Sequence, residues 1–359
     1  MAIPKVRGID ADAHIDENEQ TWEYLEEAER RFKPISFDLP ESEPLGPSDG
    51  RRHRLWLIGG NARLRRFRSD EATGTTKETR ELIDVDARLR HMDELGLDVQ
   101  ALFPTTFLHQ VTDRPEVEVA LAKTYNRWMA DRCTGSRGRL RWVALMPTLD
   151  IDACVKEVDF AKENGACGVM KKGVEAGDRA ASDPYFFPLY EACDRTGLPL
   201  CFHQGIGDPY SSNTTDNAAR MSVLNVISAF SSLAGARVPE RFPNVRWGFI
   251  EAGASWIPYV IKDLGVRGKA AKAGFNWKSG FLAHNNFFVT CDTEDDVAYL
   301  TEKYGAEDYL MIGTDYTHVN QTAEMRAHRT IVEQAEKGEF SSSVATKIID
   351  DNGRRFYGI

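Results

Sequence analysis

The chain has 359 residues, 42% of them hydrophobic, which is ample for a large core, and a formal net charge of −10. That acidic balance argues against a nucleic-acid partner and against an anionic membrane surface. No apolar run approaches the roughly 20 residues that span a bilayer, and the opening MAIPKVRGID has no apolar signal region, so a cytoplasmic protein is expected. The six cysteines show no CxxC pairing and read as buried free thiols.

The first strand-like run is Val6–Asp12. The segment 18–81 then breaks the rhythm of the chain. It holds a helix expected over Thr21–Phe32, a stretch with Pro34, Pro40, Pro44 and Pro47, a strand or hairpin over Arg51–Ile58, and a basic run Arg63–Arg68 that reads as a solvated helix face. From about residue 82 short apolar runs alternate with longer amphipathic ones. Strands are expected at Val99–Pro104, Leu140–Met146, Cys167–Met170, Leu198–His203, Val245–Glu251, Phe287–Cys291 and Tyr309–Asp315. Helices are expected between them, as at Val117–Cys133, Ile151–Asn164, Phe186–Thr196 and Asp295–Tyr304. Eight strands with helical crossovers imply parallel βαβ units and an α/β fold, the (β/α)8 TIM barrel. A doubly wound sheet is the alternative, but no glycine-rich fingerprint follows the first strand. Residues 1–359 are thus read as one domain, with 18–81 inserted after strand one as a lid or subunit contact, or as a merely tolerated loop.

The chemistry lies at strand ends. Asp12 and His14 are two apart and share one side of an extended strand, with Glu17 just beyond. The fifth strand ends in His203, the sixth in Glu251 and the eighth in Asp315, followed by His318. In a barrel these ends converge on one mouth, where an unpaired buried charge is costly. A metal ion answers that cost; a satisfied polar network without metal is the alternative.

The series DxH, a histidine on strand five and the aspartate of GTDYTH on strand eight resembles the amidohydrolase superfamily. The run EAGASWIP from Glu251 looks like the sixth-strand motif of the branch that includes the aminocarboxymuconate-semialdehyde decarboxylases. The resemblance implies a metal-dependent barrel of the hydrolase type. Two letters depart from the hydrolase and decarboxylase pattern: Asp12 stands where HxH would begin, and Glu251 replaces a strand-six histidine. Lys171 and Lys172 lie near the place of a bridging carbamylated lysine, although solvated lysines are the plainer reading.

A charge count favours two divalent ions held by Asp12, His14, Glu17, His203, Glu251, Asp315 and His318, because four carboxylates balance two such ions. Oxygen-rich ligands with imidazoles suit iron and manganese, and zinc as well. The opening DxHxxE with ExG on strand six resembles a dioxygen-activating group that includes the catalytic subunit of 2-aminoisobutyrate hydroxylase. That resemblance implies a dinuclear monooxygenase that hydroxylates a small organic substrate, supplied with electrons by a separate reductase, in a homo- or hetero-oligomer. The alternatives are hydrolysis or non-oxidative decarboxylation, with Glu251 or Asp315 as general base, and a metal-bearing partner subunit. Arg51, Arg52 and Arg54 reach a substrate carboxylate only if the insertion folds over the mouth, and His109 is read as a loop residue. His91 and His328 read as surface residues on helices.

Overall fold

The computed structural model describes residues 7–38, 54–65, 68–205, 223–270, 279–318 and 323–359. Val6, Pro40, Pro44, Pro47, Arg51 and Arg52 lie outside the described residues. In chain order the strands are β1 (Ile9–His14), β2 (Ile35–Asp38), β3 (Arg54–Ile58), β4 (Asn61–Arg65), β5 (Val99–Phe103), β6 (Leu140–Leu145) and β7 (Gly168–Lys171). There follow β8 (Val174–Glu175), β9 (Arg179–Ala180), β10 (Leu200–His203), β11 (Trp247–Ile250), β12 (Phe287–Cys291) and β13 (Leu310–Ile312).

Eight of these form one parallel sheet in the order β1-β5-β6-β7-β10-β11-β12-β13. Between its two end strands an isolated parallel bridge pairs Ala13 with Tyr316, and His14 N donates to Tyr316 O at 3.0 Å. The sheet is therefore a nearly closed barrel, the (β/α)8 fold. Its strands are apolar on both faces because helices cover the outside while side chains fill the inside. β12 (FFVTC) is buried throughout.

Sequence marks several helix ends plainly. Asp84 and Asp150 cap Val85–Leu95 and Ile151–Glu163 by accepting backbone N–H groups, and Pro115 opens Pro115–Thr134. The helix expected over Thr21–Phe32 is instead two short 3-10 turns, Glu19–Tyr24 and Glu27–Phe32, split where Leu25 and Glu26 are extended. Tertiary anchors account for the break. Trp22 and Leu25 are buried, and Lys123 donates to both Glu26 and Glu29.

The first barrel strand runs to His14 rather than ending at Asp12, and the eighth ends three residues early, at Ile312. Both shifts occur where β1 and β13 crowd together. A Cβ on Gly313 would lie 2.4 Å from that of Asp12, so only glycine admits the approach.

Between β1 and β5 the antiparallel strands β2, β3 and β4 form a separate three-stranded sheet. The basic run is thus strand at its start, not a helix face: Arg63 and Arg65 sit on β4. Arg65 stacks its guanidinium 4.1 Å from the Trp56 ring, and Trp56 meets Trp22 edge-on at 5.6 Å. Aromatic burial therefore docks this sheet on the barrel.

Candidate metal centre

The barrel mouth gathers two overlapping sets of buried side chains: Asp12, His14, His203 and Glu251, and His14, Glu251, Asp315 and His318. Within each set one ligand atom per residue lies within 4.8 Å of the others. β1 contributes Asp12 and His14 across a bulge, where it advances three residues against two on β5 between Asp10 and Ala13. β10 delivers His203 at its end. Glu251 and Asp315 follow β11 and β13 with φ of 57° and 50°, so both chains leave the barrel wall through the left-handed region.

The chemistry of this set fits a divalent cation. His14 Nδ1 donates to Pro104 O at 3.0 Å, which leaves Nε2 with the lone pair. Nε2 is buried without a hydrogen bond and stands 3.4 Å from carboxylate oxygens of both Asp12 and Asp315. A lone pair facing two carboxylates is repelled unless a cation lies among them. His203 likewise donates from Nδ1 to Gln204 O at 2.9 Å and turns Nε2 to Asp12 Oδ1 at 3.3 Å. Burial and then the charge of Glu251 raise the Asp315 carboxyl well above its ordinary range. Burial disfavours charge on His203, but Asp12 and Glu251 outweigh it and push its pKa up to about 9.

Glu17 belongs to neither set. Its carboxylate accepts N–H groups from Thr105 at 3.1 Å and Thr106 at 2.9 Å, and burial pushes its pKa up to about 7 against those donors. It forms part of the wall of a cavity of about 310 Å³. The cations lining that cavity are Arg54, Arg63, Arg65, Arg68, Lys77 and Arg80. Thr105, on the same wall, has its Oγ1 3.5 Å from His318 Nε2, so the cavity adjoins the candidate ligands. His109 also lines it.

The amidohydrolase family model matches residues 9–359, nearly the whole chain. The chain belongs to the amidohydrolase family. This amidohydrolase is a metal-dependent enzyme of that superfamily. It is 22% identical over 253 residues to 2-amino-3-carboxymuconate-6-semialdehyde decarboxylase of Dictyostelium discoideum, a match that spans 65% of this chain and 66% of that protein. Its fold resembles an amidohydrolase from Mycobacterium avium subsp. paratuberculosis K-10, with TM-score 0.79 and 19% identity over 99% of both chains. It also resembles 5-carboxyvanillate decarboxylase from Novosphingobium aromaticivorans, crystallised with manganese, with TM-score 0.62 and 18% identity over 77% of this chain and 81% of that one.

The amidohydrolase also has a supporting network that strand-end reading does not reveal. Asp10 is buried and accepts from Thr314 N (2.8 Å), Thr314 Oγ1 (2.6 Å) and Gln100 Nε2 (2.8 Å), tying β1, β5 and the end of β13 together. Arg88 donates to Gln100 Oε1 at 2.7 Å and lies 3.3 Å over the Tyr316 ring. The signal for Asp10 was its even spacing with Asp12 and His14. Arg88 carried none, being one of two arginines on its helix. His328 is not a surface residue but is buried and meets Ile9 O at 2.9 Å, while His91 is half-buried with Nδ1 2.6 Å from Tyr316 Oη. His328 thus meets the first barrel strand and His91 the turn after the last. Lys171 is buried, not solvated, with Nζ on Glu175 at 3.1 Å and on Lys172 O at 2.6 Å.

Proposed function

We propose that this amidohydrolase is a lyase that removes carbon dioxide, without oxidation, from a small carboxylated substrate. The observation that carries this reading is the adjoining pair of sites: a buried aspartate–histidine–glutamate cluster and, beside it, a cavity lined by arginines. The similarity to a decarboxylase supports the same reading.

Asp12, His14, His203, Glu251, Asp315 and His318 would hold the ion, which when bound supplies Lewis acidity toward substrate oxygens. A single divalent ion is the occupancy we infer. The count for two needed a fourth carboxylate, and Glu17 instead binds the amides of Thr105 and Thr106. Three carboxylates are balanced by one divalent ion and one proton, which we place on the Asp315–His318 pair. His14 also presents one nitrogen and not two, because Nδ1 is engaged by Pro104. Manganese is the first ion to test, since a structural neighbour was crystallised with it.

The protein residues have a defined task in such a reaction. When the bond to the leaving carboxylate breaks, its electron pair stays on carbon and a proton must be delivered there. The proton held by the Asp315–His318 pair, whose Oδ1 and Nδ1 are in contact, is the one we assign to that carbon. Manganese-loaded protein should release carbon dioxide from members of a panel of hydroxybenzoates and unsaturated acids, consume no dioxygen, and lose that activity in Asp315→Asn. Dioxygen uptake with an external reductant, and no carbon dioxide from any acid, would overturn the reading in favour of the oxygenase.

A further inference from the structure

The seam that closes the barrel carries candidate ligands on both sides. Asp315 N donates to Asp12 O at 2.9 Å, and His14 N donates to Tyr316 O at 3.0 Å. Across it His14 Nε2 and Asp315 Oδ1 stand 3.4 Å apart. A small slip of β1 against the turn after β13 would therefore separate two ligands at once.

Arg88 lies against both sides of this seam. It projects from the helix Val85–Leu95 and is fully buried. Nη1 and Nη2 each donate to His14 O at 3.3 Å, Nη1 also donates to Thr79 O at 3.2 Å, and Nε donates to Gln100 Oε1 at 2.7 Å. The flat face of the same guanidinium covers the Tyr316 ring, with Cζ 3.3 Å from its centroid. Tyr316 Oη in turn donates to Thr79 Oγ1 at 3.1 Å, so Thr79 ties the ring and the guanidinium together. The grip extends through Gln100, whose Nε2 donates to Asp10 Oδ2, and Asp10 accepts from Thr314 N and Oγ1. Arg88 thus holds residue 316 directly and residue 314 by relay, on either side of Asp315.

Packing alone does not account for an arginine here. Every hydrogen-bond acceptor that it reaches among the described residues is a neutral oxygen, so its charge is buried without a paired carboxylate. Such burial is costly, and an apolar side chain of similar volume would fill the space more cheaply. What an apolar chain or an ammonium lacks is a rigid planar fork that donates in several fixed directions and stacks on a ring.

We propose that Arg88 is a positioning residue for the metal centre, one that sets the spacing of His14 and Asp315 by holding the backbone on both sides of the seam. The proposal rests on the cluster's holding a divalent ion and identifies the side chain outside the cluster that fixes its geometry.

The test compares full-length wild-type, Arg88→Lys, Gln100→Met and Asn126→Ala proteins, each stripped of metal and titrated with cobalt(II). Lysine keeps the charge but gathers its donors at one nitrogen and loses the stack on Tyr316. Asn126 is a control for general loss of stability, since it is buried and braces Leu145 on a different strand. Arg88→Lys should bind cobalt about ten-fold more weakly and shift the visible absorption bands of the bound ion. Asn126→Ala should melt lower yet keep wild-type affinity and bands. Gln100→Met leaves Arg88 in place but removes the acceptor of its Nε and the link to Asp10, so it probes the same relay should the lysine variant not fold; its affinity should fall and its bands shift in the same direction. Wild-type affinity and bands in Arg88→Lys, or in Gln100→Met where the lysine variant does not fold, overturn the assignment, as does an equal loss in Asn126→Ala. Wild-type protein that takes up no cobalt would sink the metal reading itself, whereas uptake matched by Arg88→Lys would sink the role of Arg88 alone.

Discussion

Arg68 Nη1 donates to the backbone carbonyl of Thr317 at 2.6 Å. Thr317 lies between Asp315 and His318, and its φ of 87° is rare for a β-branched residue. The inserted segment thereby clamps the turn that carries two candidate ligands. Removing the clamp should let the turn relax toward ordinary backbone geometry. Arg68→Met is expected to weaken divalent-ion affinity about ten-fold, the usual scale for partners that orient ligands. Competition against a chromophoric chelator measures this, and an unchanged affinity would show that the turn holds its shape alone.

Glu17 offers a second test, this one of titration. Burial holds its carboxyl near 7, whereas in the unfolded chain it ionises near 4.5. Between those values the native state keeps a proton that the unfolded state has released. Stability from this group is therefore complete at low pH and declines as pH rises toward about 7. Glu17→Gln should flatten that decline by up to about 3 kcal/mol in urea titrations run at pH 5 and pH 8. Matching profiles for wild type and variant would mean that the carboxyl is ionised throughout. Metal content should be unchanged in the variant, because Glu17 is absent from both ligand sets.

Gly313 should be intolerant of even one added carbon. An alanine Cβ would fall 2.4 Å from Asp12 Cβ and 2.9 Å from Asp12 N. Backbone cannot give way like a flexible side chain, so Gly313→Ala is expected to cost about 1–3 kcal/mol and to displace Asp12. Lowered thermal stability together with reduced metal binding is the expected pair of results. A variant of wild-type stability with full metal content would refute the close approach.

Metal removal should destabilise the whole barrel. Asp12, Glu251 and Asp315 are all under 5% exposed and share one mouth. An ion bound to the native state alone stabilises it by about 2.7 kcal/mol at a hundred times its dissociation constant. Chelated protein should melt lower and recover when manganese is restored. In Asp12→Asn/Asp315→Asn protein, adding manganese should give little or no such rise; a rise as large as that of wild type would place the ion elsewhere.

Much of this protein was legible in its residues taken in order. Runs such as Phe287–Cys291 and Leu140–Leu145 are short, apolar and buried, so their length and composition alone mark them as barrel strands. The convergence of Asp12, His14, His203, Glu251, Asp315 and His318 on one mouth was legible too, since a charged residue ending an apolar strand has nowhere cheap to go. The ends of β1 and β13 were not, because they depend on how closely Gly313 approaches a strand some three hundred residues earlier. Nor was the place of Glu17, whose carboxylate is taken by Thr105 and Thr106 from another strand's loop. The basic run shows the boundary most clearly. Sequence alone determined that Arg63, Arg65 and Arg68 exist as a cluster of charge. Only the tertiary structure decided that they point inward, because a two-residue alternation faces solvent or a cavity according to which side of the sheet the buried Trp56 anchors.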